Sequence, residues 1–124
     1  MFVKLIDTVG MESHFIFGLD KKIKEADCIL FVYDITNEKS FELFYSRYFS
    51  LIEKYEKTNI PIAFCGNKTD LEKERKIPFE KVKQISSENN YIFIEASCKR
   101  MENVNTIFET LISSTLEDVK KKIL

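Results

Sequence analysis

Apolar residues along the chain follow two alternating patterns. Short, almost unbroken runs occupy residues 2–7, 28–34, 60–65 and 91–96, the length and texture of β-strands. Three of these are nearly uniformly apolar, as expected of parallel strands buried on both faces, whereas 2–7 carries Lys4 and is more mixed. Between the runs, apolar positions recur at helical spacing. Phe41, Phe44, Tyr48, Leu51 and Tyr55 form one stripe, and Val104, Ile107, Phe108, Leu111, Thr115, Val119 and Ile123 form another. Shorter helices are expected around Ile16, Leu19, Ile23 and Ala26, and from Pro78 through Phe79, Val82 and Ile85, where proline suits a first helical position. Strand and helix thus alternate throughout, which predicts an α/β fold with a parallel sheet flanked by helices. No repeat or linker interrupts the pattern, so residues 1–124 read as a single domain.

Composition narrows the function. The chain is 44% hydrophobic and 31% charged, with 19 basic and 20 acidic side chains and a net charge of −1. A near-neutral surface argues against nucleic-acid binding, which draws its affinity from clustered Lys and Arg on phosphates. The lysines between 73 and 76 are interleaved with an acid, and those at 120–122 sit in the last turn of a helix, where cations are favoured. The longest apolar run, 28–33, is far too short for a bilayer span, and Lys4 and Asp7 interrupt any signal-peptide core. A cytoplasmic protein is expected. Cys28, Cys65 and Cys98 are odd in number and widely spaced, which indicates neither a disulfide framework nor a zinc site. Each lies at or beside a strand-like run and reads as a small buried hydrophobe.

In an open parallel sheet, ligands bind beyond the carboxyl ends of the strands. Three such ends are informative: Asp7-Thr8-Val9-Gly10; Gly66-Asn67-Lys68-Thr69-Asp70; and Glu95-Ala96-Ser97-Cys98-Lys99. In this order they resemble the third, fourth and fifth nucleotide motifs of the Ras superfamily of small GTPases. Phe31-Val32-Tyr33-Asp34-Ile35-Thr36, followed by Ser40-Phe41, also resembles a strand-to-helix segment of Ras and Rab proteins. An isolated Asn-Lys-x-Asp is weak; three ordered motifs, each at a predicted strand end, are specific.

The Asp70 chemistry stands apart from the name. An ionised carboxylate only accepts hydrogen bonds, and guanine presents two adjacent donors, its ring N1–H and its exocyclic amine. Adenine lacks both and would leave the carboxylate desolvated and unpaired. The resemblance implies the remaining roles. Asn67 bonds the base and ties the loop together, and Lys68 lies along the base with its aliphatic stem. The Cys98 N–H reaches the base carbonyl, within a loop shaped by Ser97 and Lys99. Asp7 holds Mg2+ through water, and Gly10 offers its N–H to a terminal phosphate. The implied ligands are GTP and GDP, and the implied partners are effector or regulator proteins, met through residues 8–23.

Departures from the family temper the activity. Met11 stands where a water-orienting glutamine is usual; a thioether cannot place a water for in-line attack, so no catalytic residue is assigned. Glu12 would add like charge beside phosphate, and His14 reads as solvent-exposed. No G-x-x-x-x-G-K-[ST] phosphate loop occurs, and residues 2–7 correspond to the family's third strand, so the resemblance is to a P-loop NTPase-like fold truncated at its amino end. Without that loop, base contacts should hold nucleotide no tighter than about millimolar. No cysteine follows Cys98, so no stable lipid anchor is expected. The expected function is a guanine-nucleotide-binding switch domain in signalling or vesicle traffic with weak hydrolysis. The alternatives are a gene that has lost its first exon, a nucleotide-independent pseudo-GTPase interaction module, and, from another class, a receiver-like phosphoacceptor with Asp34 at a strand end.

Overall fold

The computed structural model describes residues 2–7, 19–55 and 59–123; at 19, 20, 44, 47, 48 and 51 it describes the backbone only. In order come α1 (Leu19–Glu25), β1 (Ile29–Asp34), α2 (Glu38–Lys54), β2 (Ile62–Asn67), a 3-10 segment (Thr69–Glu74), α3 (Phe79–Glu88), β3 (Ile92–Glu95) and α4 (Val104–Ile123). The strands form one parallel sheet in the order β1-β2-β3. Tyr33 stands opposite Gly66 and Asp34 opposite Asn67 across the first pair, and Gly66 opposite Glu95 across the second. All three carboxyl ends therefore finish on one rim.

Strand alternation sends the apolar side chains to two faces. Phe31, Tyr33, Ile62 and Phe64 pack with Phe41 and Ile52 of α2 and Val82 of α3. Ala63, Cys65 and Ala96 face Ile107 and Leu111 of α4, and their small size lets that helix lie close to the sheet. An aromatic ladder stiffens the first layer: Tyr33 meets Phe41 edge-on at 5.2 Å, Phe41 stacks on Tyr45, Tyr45 meets Phe49, and Phe49 reaches Tyr91. Of the aromatic stripe predicted for α2, Phe41 is buried and Tyr55 half-buried, while the Phe44, Tyr48 and Leu51 side chains lie outside the described set.

Four expectations are corrected. Residues 2–7 form no strand: they belong to no regular element, and Phe2, Val3, Leu5 and Ile6 are exposed. A strand needs a ladder partner for its backbone, and among the described residues none pairs with this segment. Among the described strands only β2 is flanked on both sides. β1 and β3 are the edges of the described sheet, and Val32 is 56% exposed. The apolar stripe of α4 is buried at Ile107 and Leu111 but exposed at Val119 and Ile123, because twenty residues of helix run about 30 Å and outreach strands of four to six residues. Finally, Pro78 precedes α3 as its N-cap instead of occupying its first turn.

Candidate functional site

The loops leaving β2 and β3 close on each other. The Ala96 N–H donates to Gly66 O at 2.7 Å, and the Thr69 N–H donates to Ala96 O at 3.2 Å. Side chains complete the lock. Asn67 Oδ1 accepts the Cys98 N–H at 3.1 Å, and Asp70 Oδ1 accepts the Ser97 hydroxyl at 2.8 Å. Ser97 is fully buried, and its Oγ accepts the Arg100 N–H at 3.1 Å while its backbone exchanges two hydrogen bonds with Glu102. Four of the predicted residues, Asn67, Asp70, Ser97 and Cys98, are thus gathered at one point on the rim. Turn geometry explains the spacing: Lys68 adopts a left-handed conformation (φ 73°, ψ 36°), which reverses the chain into the 3-10 segment and swings Asp70 toward the β3 loop. Asn103, also left-handed at φ 62°, closes that loop by donating from Nδ2 to Glu95 O before α4 begins.

Electrostatics favour an ionised acceptor at position 70. The Ser97 hydroxyl holds the Asp70 carboxyl below the usual carboxylate range, with Lys99 and Arg100 adding to the effect. Only one of its oxygens is engaged by Ser97, so the other retains acceptor capacity. The Cys98 N–H, which the resemblance assigns to a base carbonyl, is held here by Asn67. Cys98 itself is exposed, correcting the buried reading; Cys65 is buried and Cys28 half-buried, and all three thiols are free.

Lys68 points to β1. Its ammonium lies 2.8 Å from Asp34 Oδ2. Asp34 Oδ1 accepts both the Thr36 N–H at 2.8 Å and the Thr36 hydroxyl at 2.7 Å. Partial burial pushes the Asp34 carboxyl up, but Lys68 and Thr36 together outweigh it and hold it below its ordinary value. Asp34, in turn, raises the pKa of Lys68. Sequence reasoning missed this partnership; the only local signal was Asp34-x-Thr36, a spacing suited to an Asx turn. It also missed the clamp beneath the site, where Arg75 grips Glu95 through two bonds of 2.8 and 2.7 Å, holds Glu72, and donates to Ile77 O. Glu95 first, then Glu72, raises the Arg75 pKa further.

On the phosphate side, Asp7 is exposed and outside any regular element. Among the described residues no group of three His, Cys, Asp or Glu side chains is gathered to hold a metal ion, so Asp7 stands as a single candidate ligand. Gly10, Met11, Glu12 and His14, with most of the expected partner segment 8–23, lie outside the described residues. Lys99 is exposed beside the Asp70–Ser97 pair. No helix among the described residues is long and apolar enough to cross a membrane.

A parallel α/β sheet whose strand-end loops lock a carboxylate, an amide and a serine together defines a protein with a polar rim at the carboxyl ends of its strands, the place where ligands bind in open sheets of this class. The chain belongs to the Ras family, whose sequence profile matches residues 1–117. It is 36% identical over 110 residues to the GTP-binding protein Rheb homolog of Drosophila melanogaster, covering 89% of this chain and 60% of that protein. The human GTP-binding protein Rheb is 34% identical over the same length, covering 59% of that protein. The Ras-related protein Rab-1 of Theileria parva is 34% identical over 116 residues, 94% of this chain and 52% of that one. The chain therefore spans between 52% and 60% of the length of these relatives.

Proposed function

We propose that this domain binds guanine nucleotide, GTP or GDP, through the rim formed by Asn67, Lys68, Asp70, Ser97, Cys98 and Lys99, as part of a molecular switch. The observation that carries the reading is the Asp70–Ser97 bond, which fixes an ionised acceptor where the loops after β2 and β3 meet. A carboxylate held in this way matches the paired donors of guanine and mismatches adenine. The two relatives named GTP-binding proteins support the same choice.

Asn67 acts here as the tie between loops, through its acceptance of the Cys98 N–H. Gly10 and Asp7 would meet the phosphates and Mg2+; the metal would neutralise phosphate charge, with Asp7 as the one described carboxylate for it. Hydrolysis by these 124 residues is weak, because Met11 can neither donate to nor firmly accept from an attacking water. Effectors or regulators would read residues 8–23, the segment that follows Asp7 in the chain.

Amide resonances of the purified chain titrated with guanosine 5′-monophosphate test the proposal. Shifts centred on Asp70, Ser97 and Cys98 are expected, weaker or absent with adenosine 5′-monophosphate and lost in Asp70→Ala. Equal responses to the two nucleotides would refute it.

A further inference from the structure

We propose that Asp34 is a positioning residue for Lys68: it anchors the ammonium across the rim, so that the aliphatic stem forms a fixed apolar rail beside the Asn67–Asp70–Ser97–Cys98 cluster. The inference rests on the guanine-site reading and adds a residue to it from a strand that contributes none of the predicted contacts.

The anchor is built, not incidental. Asp34 ends β1 directly opposite Asn67, and its carboxylate is oriented by two bonds from Thr36, which leaves Oδ2 aimed at the neighbouring loop. Its own N–H donates to Ser40 Oγ, and the Ser40 hydroxyl lies 3.3 Å from Asp34 O, pinning the residue to the start of α2. The Ile35 N–H donates to Asn67 O at 3.2 Å, holding the two strand ends in register beyond the ladder. On the other side, the left-handed backbone of Lys68 fixes where its side chain starts. Both ends of the stem are therefore set, one by the turn and the other by the 2.8 Å ion pair.

Half of the Lys68 side chain remains exposed. A planar ring laid along that side chain would gain by covering its methylenes while the charged head stays paired with Asp34. An untethered lysine would have to surrender rotamer freedom on binding, whereas the anchored one has already done so. Asp34 should consequently change how tightly a purine is held and not which purine is chosen, since selection belongs to Asp70.

Asp34→Asn is the informative change, because the amide oxygen can still accept from Thr36 while the charge facing Lys68 is removed. Wild type, Asp34→Asn, Lys68→Ala and the double variant are titrated with guanosine and adenosine 5′-monophosphates, following the Ser97 and Cys98 amides. The expected result is a roughly two- to fivefold weaker guanine response in Asp34→Asn, the span of a half-exposed ion pair. Preference for guanine is unchanged, and Asp34→Asn has no further effect once Lys68 is alanine. Equal affinity of wild type and Asp34→Asn overturns the positioning role, as does an equal loss from Asp34→Asn with and without Lys68. A wild-type chain whose Ser97 and Cys98 amides ignore guanosine 5′-monophosphate overturns the guanine-site reading, and the positioning role with it.

Discussion

Replacing Gly66 by alanine adds a methyl group at the crowded carboxyl end of β2, one residue before Asn67. That carbon would lie 2.7 Å from Tyr33 Oη, 2.9 Å from Tyr33 Cζ and 3.1 Å from Ile35 Cγ2. Tyr33 and Ile35 are 2% and 0% exposed, so neither can swing into solvent, and Tyr33 is further braced by Phe41. Overpacking of this kind costs about 1–3 kcal/mol. Alanine recovers only about 0.5–1 kcal/mol of backbone entropy in a strand, so the net effect is destabilising. Taking the middle of both ranges, a net loss of about 1 kcal/mol lowers Tm by roughly 3–6 °C for a domain of this size. Tyr33→Phe in the same background removes the 2.7 Å clash and should restore part of the loss, leaving the ring carbon at 2.9 Å. Thermal unfolding of the single and double variants measures both effects, and hydrogen exchange at the Cys98 amide reports whether Asn67 has been displaced. An unchanged Tm in Gly66→Ala, or no recovery in the double variant, would refute the packing argument.

Two further outcomes follow from the same interior. Glu95→Gln keeps the shape but faces the Arg75 guanidinium with an amide donor, breaking a pair whose side chains are only 17% and 12% exposed. Because Arg75 keeps Glu72 and Ile77 O, the cost should be about 1–3 kcal/mol, seen as a lower urea midpoint at unchanged m-value. Burial pushes the Cys65 thiol from 9.0 up to about 11, with Cys98 and Glu95 adding to it. A raised folded-state pKa means that the stability it confers is complete below 9.0 and is lost as pH climbs to about 11. That loss amounts to about 2–3 kcal/mol. Urea midpoints of Cys65→Ala across that window should fall less steeply than those of wild type, and parallel slopes would contradict the assignment.

Much of the site was legible because its residues are contiguous in two short segments. Asn67, Lys68 and Asp70 follow β2 directly, and Ser97 and Cys98 follow β3, so knowing that parallel strands share one carboxyl rim is enough to bring the two loops together. Partners separated by longer stretches gave no such signal. Arg75 and Glu95 are twenty residues apart, and Asp34 and Lys68 lie on different strand ends. The 3-10 segment after Lys68 was missed because a short, tight turn has no apolar periodicity to betray it.

Periodicity, set by side chains a few positions apart, was enough to specify the parallel α/β class, three of the strands and the helices, and the resemblance of three short segments to a family's motifs marked the rim. Tertiary structure alone decided what depends on distant neighbours. Residues 2–7, apolar enough to read as a strand, have no described ladder partner and stay outside the sheet. Val32 is exposed at an edge despite its apolar run, and Lys68 pairs with Asp34 at the end of another strand. A β-strand, a buried face and an ion pair are each completed by a second piece of chain, and local sequence does not encode which piece arrives.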